Sequence, residues 1–300
     1  MSASLLVAVP FALFGIVLLL CFVGCDRVFG IYAVNPPPPP FTRYSEVILG
    51  EPTLVAYWPL GEQAGETTAV DLKGGRNGTY LSQALPDDPS FPSAAAPGTL
   101  TLGQEGIVPG DRVPPFDDTS PRTTCIEVNG GYVSVPFDPA LNPTTADGFT
   151  LEAWVRVGWS AGDTAATRII MNSFDTTGGD HGYALFTGPA NNWEGAVGTP
   201  GGPVFLSGPE ILFDTTNHIV LTYDGHLLRL FVNGTQTAAI AGNYQPSAQS
   251  SLFIGVGGPF LPQPRGPWVG KIQCVALYTG ALPPDEVSKH AVFGNGGNAS

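Results

Sequence analysis

Apolar and polar positions alternate with period two along most of the chain from residue 54 onward, the period of half-buried β-strands. Residues 149–157, FTLEAWVRV, put Phe149, Leu151, Ala153, Val155 and Val157 on one face and Thr150, Glu152, Trp154 and Arg156 on the other. Residues 218–240 carry the alternation through two turn signals, Asp224-Gly225 and Asn233-Gly234. Such pairs accept positive φ at both central positions of a two-residue hairpin, so the stretch predicts a three-stranded meander. Ile219, Leu221 and Tyr223 share a face of its first strand, and Leu228, Leu230 and Val232 a face of its second.

The same pattern predicts strands at 54–60, 99–102, 124–135 around the Asn129-Gly130-Gly131 turn, 167–173 paired with 183–187, 193–197, 251–256 and 270–278. Residues 44–49 suit a short helical turn, and 282–290, LPPDEVSKH, one short helix. Residues 82–124, rich in Pro, Gly, Ala and Asp, read as a surface insertion. Many strands with no βαβ rhythm predict an all-β fold, an antiparallel two-sheet jelly-roll sandwich.

The N-terminus follows another pattern. Residues 5–25 carry no charge, and at ~1.5 Å per helical residue such a run reaches about 30 Å, the thickness of a bilayer core. It reads as a transmembrane anchor helix, a cleaved signal segment or a lipoprotein signal, the last because Phe22-Val23-Gly24-Cys25 is similar to a lipobox with Cys25 as the lipidated residue. Residues 35–40, NPPPPP, form a stiff polyproline II spacer. The expected organisation is an anchor or signal over 1–25, a Pro-rich linker over 26–50, one domain over 51–293 and a disordered tail over 294–300.

Composition narrows the function classes. The chain has 39 Gly and 30 Pro against 12 Lys plus Arg in 300 residues, which favours turns over helices. A net charge of −13 without a basic stripe argues against a nucleic-acid partner, and leaves either plain solubility or cation binding on loop carboxylates. The four cysteines form no Cys-x-x-Cys pair and no zinc spacing.

Taken in order, Val55-Ala56-Tyr57-Trp58-Pro59-Leu60-Gly61-Glu62, the Gly-rich loop 71–79, the strand 126–135, FTLEAWVRV, His218 to Gly225, Leu228 to Gly234 and Val275-Ala276-Leu277-Tyr278 resemble the laminin-G-like jelly roll of the concanavalin A-like lectin/glucanase superfamily. The resemblance covers about residues 54 to 290. It departs at Thr216, where the family carries Trp, and at Gln273-Cys274, where it carries Asp-Glu. Members that bind calcium use acids in the early loop and near the closing strand. Asp71 alone stands at a matching place, so it is the candidate calcium ligand, with turn capping as the alternative. Within this fold Cys125 and Cys274 lie on outward faces of strands that would neighbour each other, which makes them a candidate disulfide in an oxidising compartment.

The superfamily includes glycoside hydrolases, which need two carboxylates flanking the scissile bond. No strand places acids at i and i+2 or i+4, and no His stands in a nucleophile setting, so the sequence predicts no enzyme. Binding is the better class. The loops at one end of the sandwich hold Trp159, Asp175, Asp180, His181, Asn192 and Trp193, rings and amides suited to a sugar. The expected protein is a membrane-attached recognition or adhesion module on the extracytoplasmic side or cell surface. It would bind carbohydrate or a surface protein, with no cofactor unless calcium. A hydrolase of the same superfamily and a structural envelope protein are the alternatives.

Overall fold

The computed structural model describes residues 43–82, 98–112, 123–159, 168–175, 181–256 and 267–297, which belong to one compact unit, Thr42–Ser300. The run 1–25 with Cys25, the spacer 35–40 and Asp180 lie outside the described residues. No helix among the described residues is long and apolar enough to cross a membrane.

Helix α1 (Tyr44–Gly50) precedes the first strands: β1 (Leu54–Trp58), β2 (Thr68–Ala69), β3 (Gly78–Leu81), β4 (Thr99–Glu105), β5 (Thr124–Asn129), β6 (Tyr132–Val135), β7 (Phe149–Val157) and β8 (Arg168–Asn172). Then come β9 (Tyr183–Thr187), β10 (Asn192–Val197), β11 (Val204–Glu210), β12 (Thr216–Tyr223), β13 (Leu227–Val232), β14 (Thr235–Ala241), β15 (Leu252–Ile254) and β16 (Val269–Thr279), before helix α2 (Pro284–Gly294). The strands form two eight-stranded sheets. The first runs β14-β13-β12-β7-β16-β5-β4, with β1 also paired to β16; the second runs β11-β10-β9-β8-β15-β6-β3-β2. All the strand pairs are antiparallel, so the expected jelly-roll type of sandwich is the one observed.

The alternation of FTLEAWVRV divides two cores. Phe149, Leu151, Ala153, Val155 and Val157 join the main core between the sheets. Trp154, on the opposite face, joins a second core with Tyr44, Ile48, Val108, Cys125, Val220 and Val287. That second core is roofed by α1, α2 and the 3₁₀ turn Pro109–Asp111. Ser45 N donates to Asp111 Oδ1 at 2.9 Å, tying α1 to that turn. Gly294, at the end of α2, lies flat on Trp154, and a Cβ there would sit 1.9 Å from the ring.

Two expected boundaries are corrected. Residues 44–50, placed in the linker, are domain structure, because Tyr44 and Ile48 are fully buried beneath the roof. The start of the expected tail is ordered, because Asn295 caps α2, its backbone N and its Nδ2 both donating to Ala291 O at 3.1 and 2.9 Å.

Candidate functional site

The roofed face of the first sheet is organised around one carboxylate. Strand register sets Glu152 opposite Val220 of β12 and Ala276 of β16, and Trp154 opposite His218. Glu152 is fully buried and takes four contacts. Tyr44 Oη donates to Oε1 at 2.6 Å, and His218 Nε2 lies 2.7 Å from the same oxygen. Tyr278 Oη donates to Oε2 at 2.6 Å, and His290 Nδ1 lies 3.0 Å from it. The His218 ring stacks on Trp154 at 4.7 Å. Burial alone would raise the Glu152 carboxyl, yet the charge of His290 and the hydrogen bonds from His218 and His290 hold it well below the usual carboxylate range. Burial, and then the Glu152 charge, push the Tyr44 and Tyr278 phenols well above their ordinary value, so both stay neutral donors. Glu152 is thus an ionised anchor that ties α1, α2, β12 and β16 to β7. Sealed from solvent, it cannot meet a substrate.

The sequence-predicted ligand residues are placed otherwise than expected. Trp193 is fully buried in the main core, and Trp159 is buried against Trp268, ring centroids 5.1 Å apart. Neither ring offers a free face for a sugar, because both fill space between the sheets. Asn192 donates through Nδ2 to Glu194 Oε1 at 3.1 Å. Asp175 and His181 exchange backbone hydrogen bonds of 2.9 and 2.8 Å and close the base of the loop between them.

Asp71 is engaged by its own loop. Its Oδ1 accepts from Tyr57 N and Lys73 N, both at 2.9 Å, and its Oδ2 from Gly74 N at 3.0 Å and Arg76 N at 2.9 Å. Four backbone amides reach its two oxygens, so Asp71 serves as an internal acceptor of its loop, the turn-capping alternative. The disulfide is corrected: Cys125 and Cys274 are buried and free. Extending the β5–β16 register past Ile126 and Ile272 sets Cys125 against Gln273, and a bulge then carries Cys274 out of line with it. The Cys125 thiol donates to Glu105 O at 3.1 Å, while Cys274 Sγ accepts from Tyr57 Oη at 3.1 Å. Burial pushes the Cys125 thiol up to about 12 and raises Cys274 as well.

Where the roof ends, the same sheet face opens into a cavity of about 510 Å³. The register that buries Trp154 sets the next outward residue of β7, Arg156, between Thr216 of β12 and Lys271 of β16. Arg112 and Glu105 complete the polar wall, with Ile107 and Pro109 as apolar lining. Arg112 Nη2 pairs with Glu105 Oε1 at 2.9 Å, and Lys271 Nζ donates to Glu105 O at 2.9 Å. Arg156 is exposed, and its side chain has no hydrogen bond or ion pair among the described residues. Three of the chain's twelve Lys and Arg thus meet at one concavity of an acidic protein. The alternation in FTLEAWVRV signals that Arg156 points outward, but nothing local signals that Thr216 and Lys271 flank it.

No curated protein matches the chain. Solved structures match at low identity. The binding domain of Paraclostridial Mosquitocidal Protein 1 is 14% identical with a TM-score of 0.54, covering 80% of this chain and 52% of that one. A Trypanosoma rangeli sialidase in complex with a difluoro-KDN compound is 15% identical with a TM-score of 0.50, covering 82% and 33%. Domain 4 of AbnA, a GH43 extracellular arabinanase from Geobacillus stearothermophilus, is 15% identical with a TM-score of 0.46, covering 80% and 98%. This chain therefore spans about half of the first molecule and a third of the second, and the likeness is one of fold. The Laminin_G_3 family model, described as Concanavalin A-like lectin/glucanases superfamily, matches residues 128–288, more than half of the sequence, and the chain belongs to that family.

Proposed function

We propose that the protein is a non-catalytic carbohydrate-recognition module whose site is the cavity lined by Arg156, Lys271, Arg112 and Thr216. The observation that carries this reading is the convergence of three cations on an open concavity in a chain of net charge −13. Guanidinium and ammonium groups bind carboxylate well, so the ligand class is an acidic sugar. Arg156, with no partner of its own among the described residues, supplies the planar fork. Ile107 and Pro109 give a sugar ring an apolar surface. The non-catalytic reading is supported by the carboxylates nearby. Hydrolysis needs two flanking the bond, and the lining holds only Glu105, already ion-paired with Arg112. The apolar run 5–25 and its proline spacer would hold such a module at a membrane surface.

A glycan array probed with the purified chain tests the reading. Acidic glycans are expected to bind, more weakly as salt rises. Arg156→Ala is expected to weaken binding about tenfold, the loss of one charge-assisted hydrogen bond. An array blank for every sugar, or binding indifferent to Arg156→Ala, overturns it. In membrane fractionation the full-length chain is expected in the pellet; recovery of the intact chain in the supernatant rejects the attachment.

A further inference from the structure

A second cluster stands at the junction of the two helices, apart from the cavity. Glu51 is the C-cap of α1. Glu286 and His290 lie one turn apart on α2, and this spacing points both side chains along the same helix face. The donor atoms of the three side chains all lie within 4.8 Å of one another. His290 is fully buried, and its Nε2 is aimed between the two carboxylates, 3.5 Å from Glu51 Oε1 and 3.6 Å from Glu286 Oε1.

Those two distances are informative. A direct N–H···O bond prefers ~2.7–3.2 Å, so Nε2 satisfies neither carboxylate well. A tetrahedral ion with bonds of ~2.0–2.1 Å sets its ligand atoms about 3.3–3.4 Å apart, close to the spacing observed. The other ring nitrogen, Nδ1, is 3.0 Å from Glu152 Oε2. An ionised carboxylate on Nδ1 keeps a proton on that nitrogen, so a metal that displaces the Nε2 proton meets a lone pair facing Glu51 and Glu286, the carboxylate–histidine–metal arrangement. Glu51 and Glu286 side chains are 13% and 22% exposed, which gives an ion a way in and a water a fourth position.

We infer that Glu51, Glu286 and His290 form a three-ligand site for a divalent transition metal, with Zn²⁺ as the best fit, clasping α1 to α2. One nitrogen and two oxygens in a tight triangle suit zinc, whereas calcium takes six to eight oxygens. The cation that competes is Lys289, whose Nζ lies 2.6 Å from Glu286 Oε1. Its side chain is 40% exposed on a flexible stem and can swing into solvent.

The test is calorimetric titration of the chelator-treated full chain with ZnCl₂, paired with thermal unfolding. One ion per chain and a rise in the unfolding midpoint are expected. Glu51→Gln and Glu286→Gln each remove a ligand from the exposed side, so the Glu152 contacts stay intact; each is expected to weaken binding about 100-fold and abolish the thermal shift, at least the loss seen when an outer-shell partner is removed. Lys289→Ala is expected to tighten binding. His290→Ala also strips a partner from Glu152 and is not the deciding variant. No uptake of zinc, or uptake and a thermal shift unchanged in Glu51→Gln, overturns the site.

Discussion

Glu152→Ala is expected to cost about 3–5 kcal/mol of folding stability, the range for breaking a buried, charged network, a large part of the ~5–15 kcal/mol available to a typical domain. The substitution removes the acceptor for Tyr44 Oη and Tyr278 Oη and the counter-charge for His290, leaving them buried without it. It also leaves a void where α1 and α2 meet β7. Tyr44→Phe deletes one donor while Glu152 keeps its other partners, so about 1–2 kcal/mol is expected. Urea denaturation followed by circular dichroism, with chelator present, measures both. A loss under about 1 kcal/mol for Glu152→Ala would show that the network is not what holds the roof.

The same network sets a pH window. The folded-state value of Glu152 is depressed, so its contribution is present above the ordinary value of 4.5 and is lost as pH falls through the depressed one. His290 is pulled down by burial, but the Glu152 and Glu51 carboxylates outweigh this and raise it. Its contribution is therefore present below the ordinary 6.5 and is lost as pH rises through the raised value. Both contributions are complete between these two ordinary values, so stability is greatest in mildly acidic solution, and Glu152→Ala flattens the profile.

How much of this is written in the sequence differs from residue to residue. The alternation of FTLEAWVRV and the Asp-Gly and Asn-Gly turns specify β7, β12, β13 and β14 because strand periodicity and turn chemistry are local. β11 escapes such a reading: VFLSGPE breaks its alternation with Gly208 and Pro209, and the strand exists through pairing with β10. The buried network is legible only in part. Glu152 stands out as an acid on a strand, but its partners Tyr44 and His290 lie 108 and 138 residues away. Trp159 and Trp193 sit beside polar turn residues, which suggests an exposed loop end. They are buried because β10 turns Trp193 inward and Trp159 meets Trp268, a partner more than a hundred positions on. The cavity depends on register across β7, β12 and β16, and register between distant strands leaves no local mark.

Asp71 shows the opposite case, a residue whose role is set almost entirely by its neighbours in sequence, and it carries the second large effect. Asp71→Ala is expected to destabilise the domain by about 3–4 kcal/mol, since four amides lose a charged acceptor in a half-closed loop. Asp71→Asn separates this role from metal ligation. One of its two positions becomes an NH₂ that faces two N–H donors, either Tyr57 and Lys73 or Gly74 and Arg76. The near-isosteric change is therefore expected to cost about 2 kcal/mol or more, because it preserves shape but removes the charge and sets donor against donor. For a calcium ligand both losses would appear only with calcium present and vanish under chelation. For a loop acceptor they persist unchanged in chelator, because the donors belong to the chain itself. Thermal denaturation of the wild-type chain and both variants, each with and without calcium, separates the two: a destabilisation that disappears in chelator returns Asp71 to the metal.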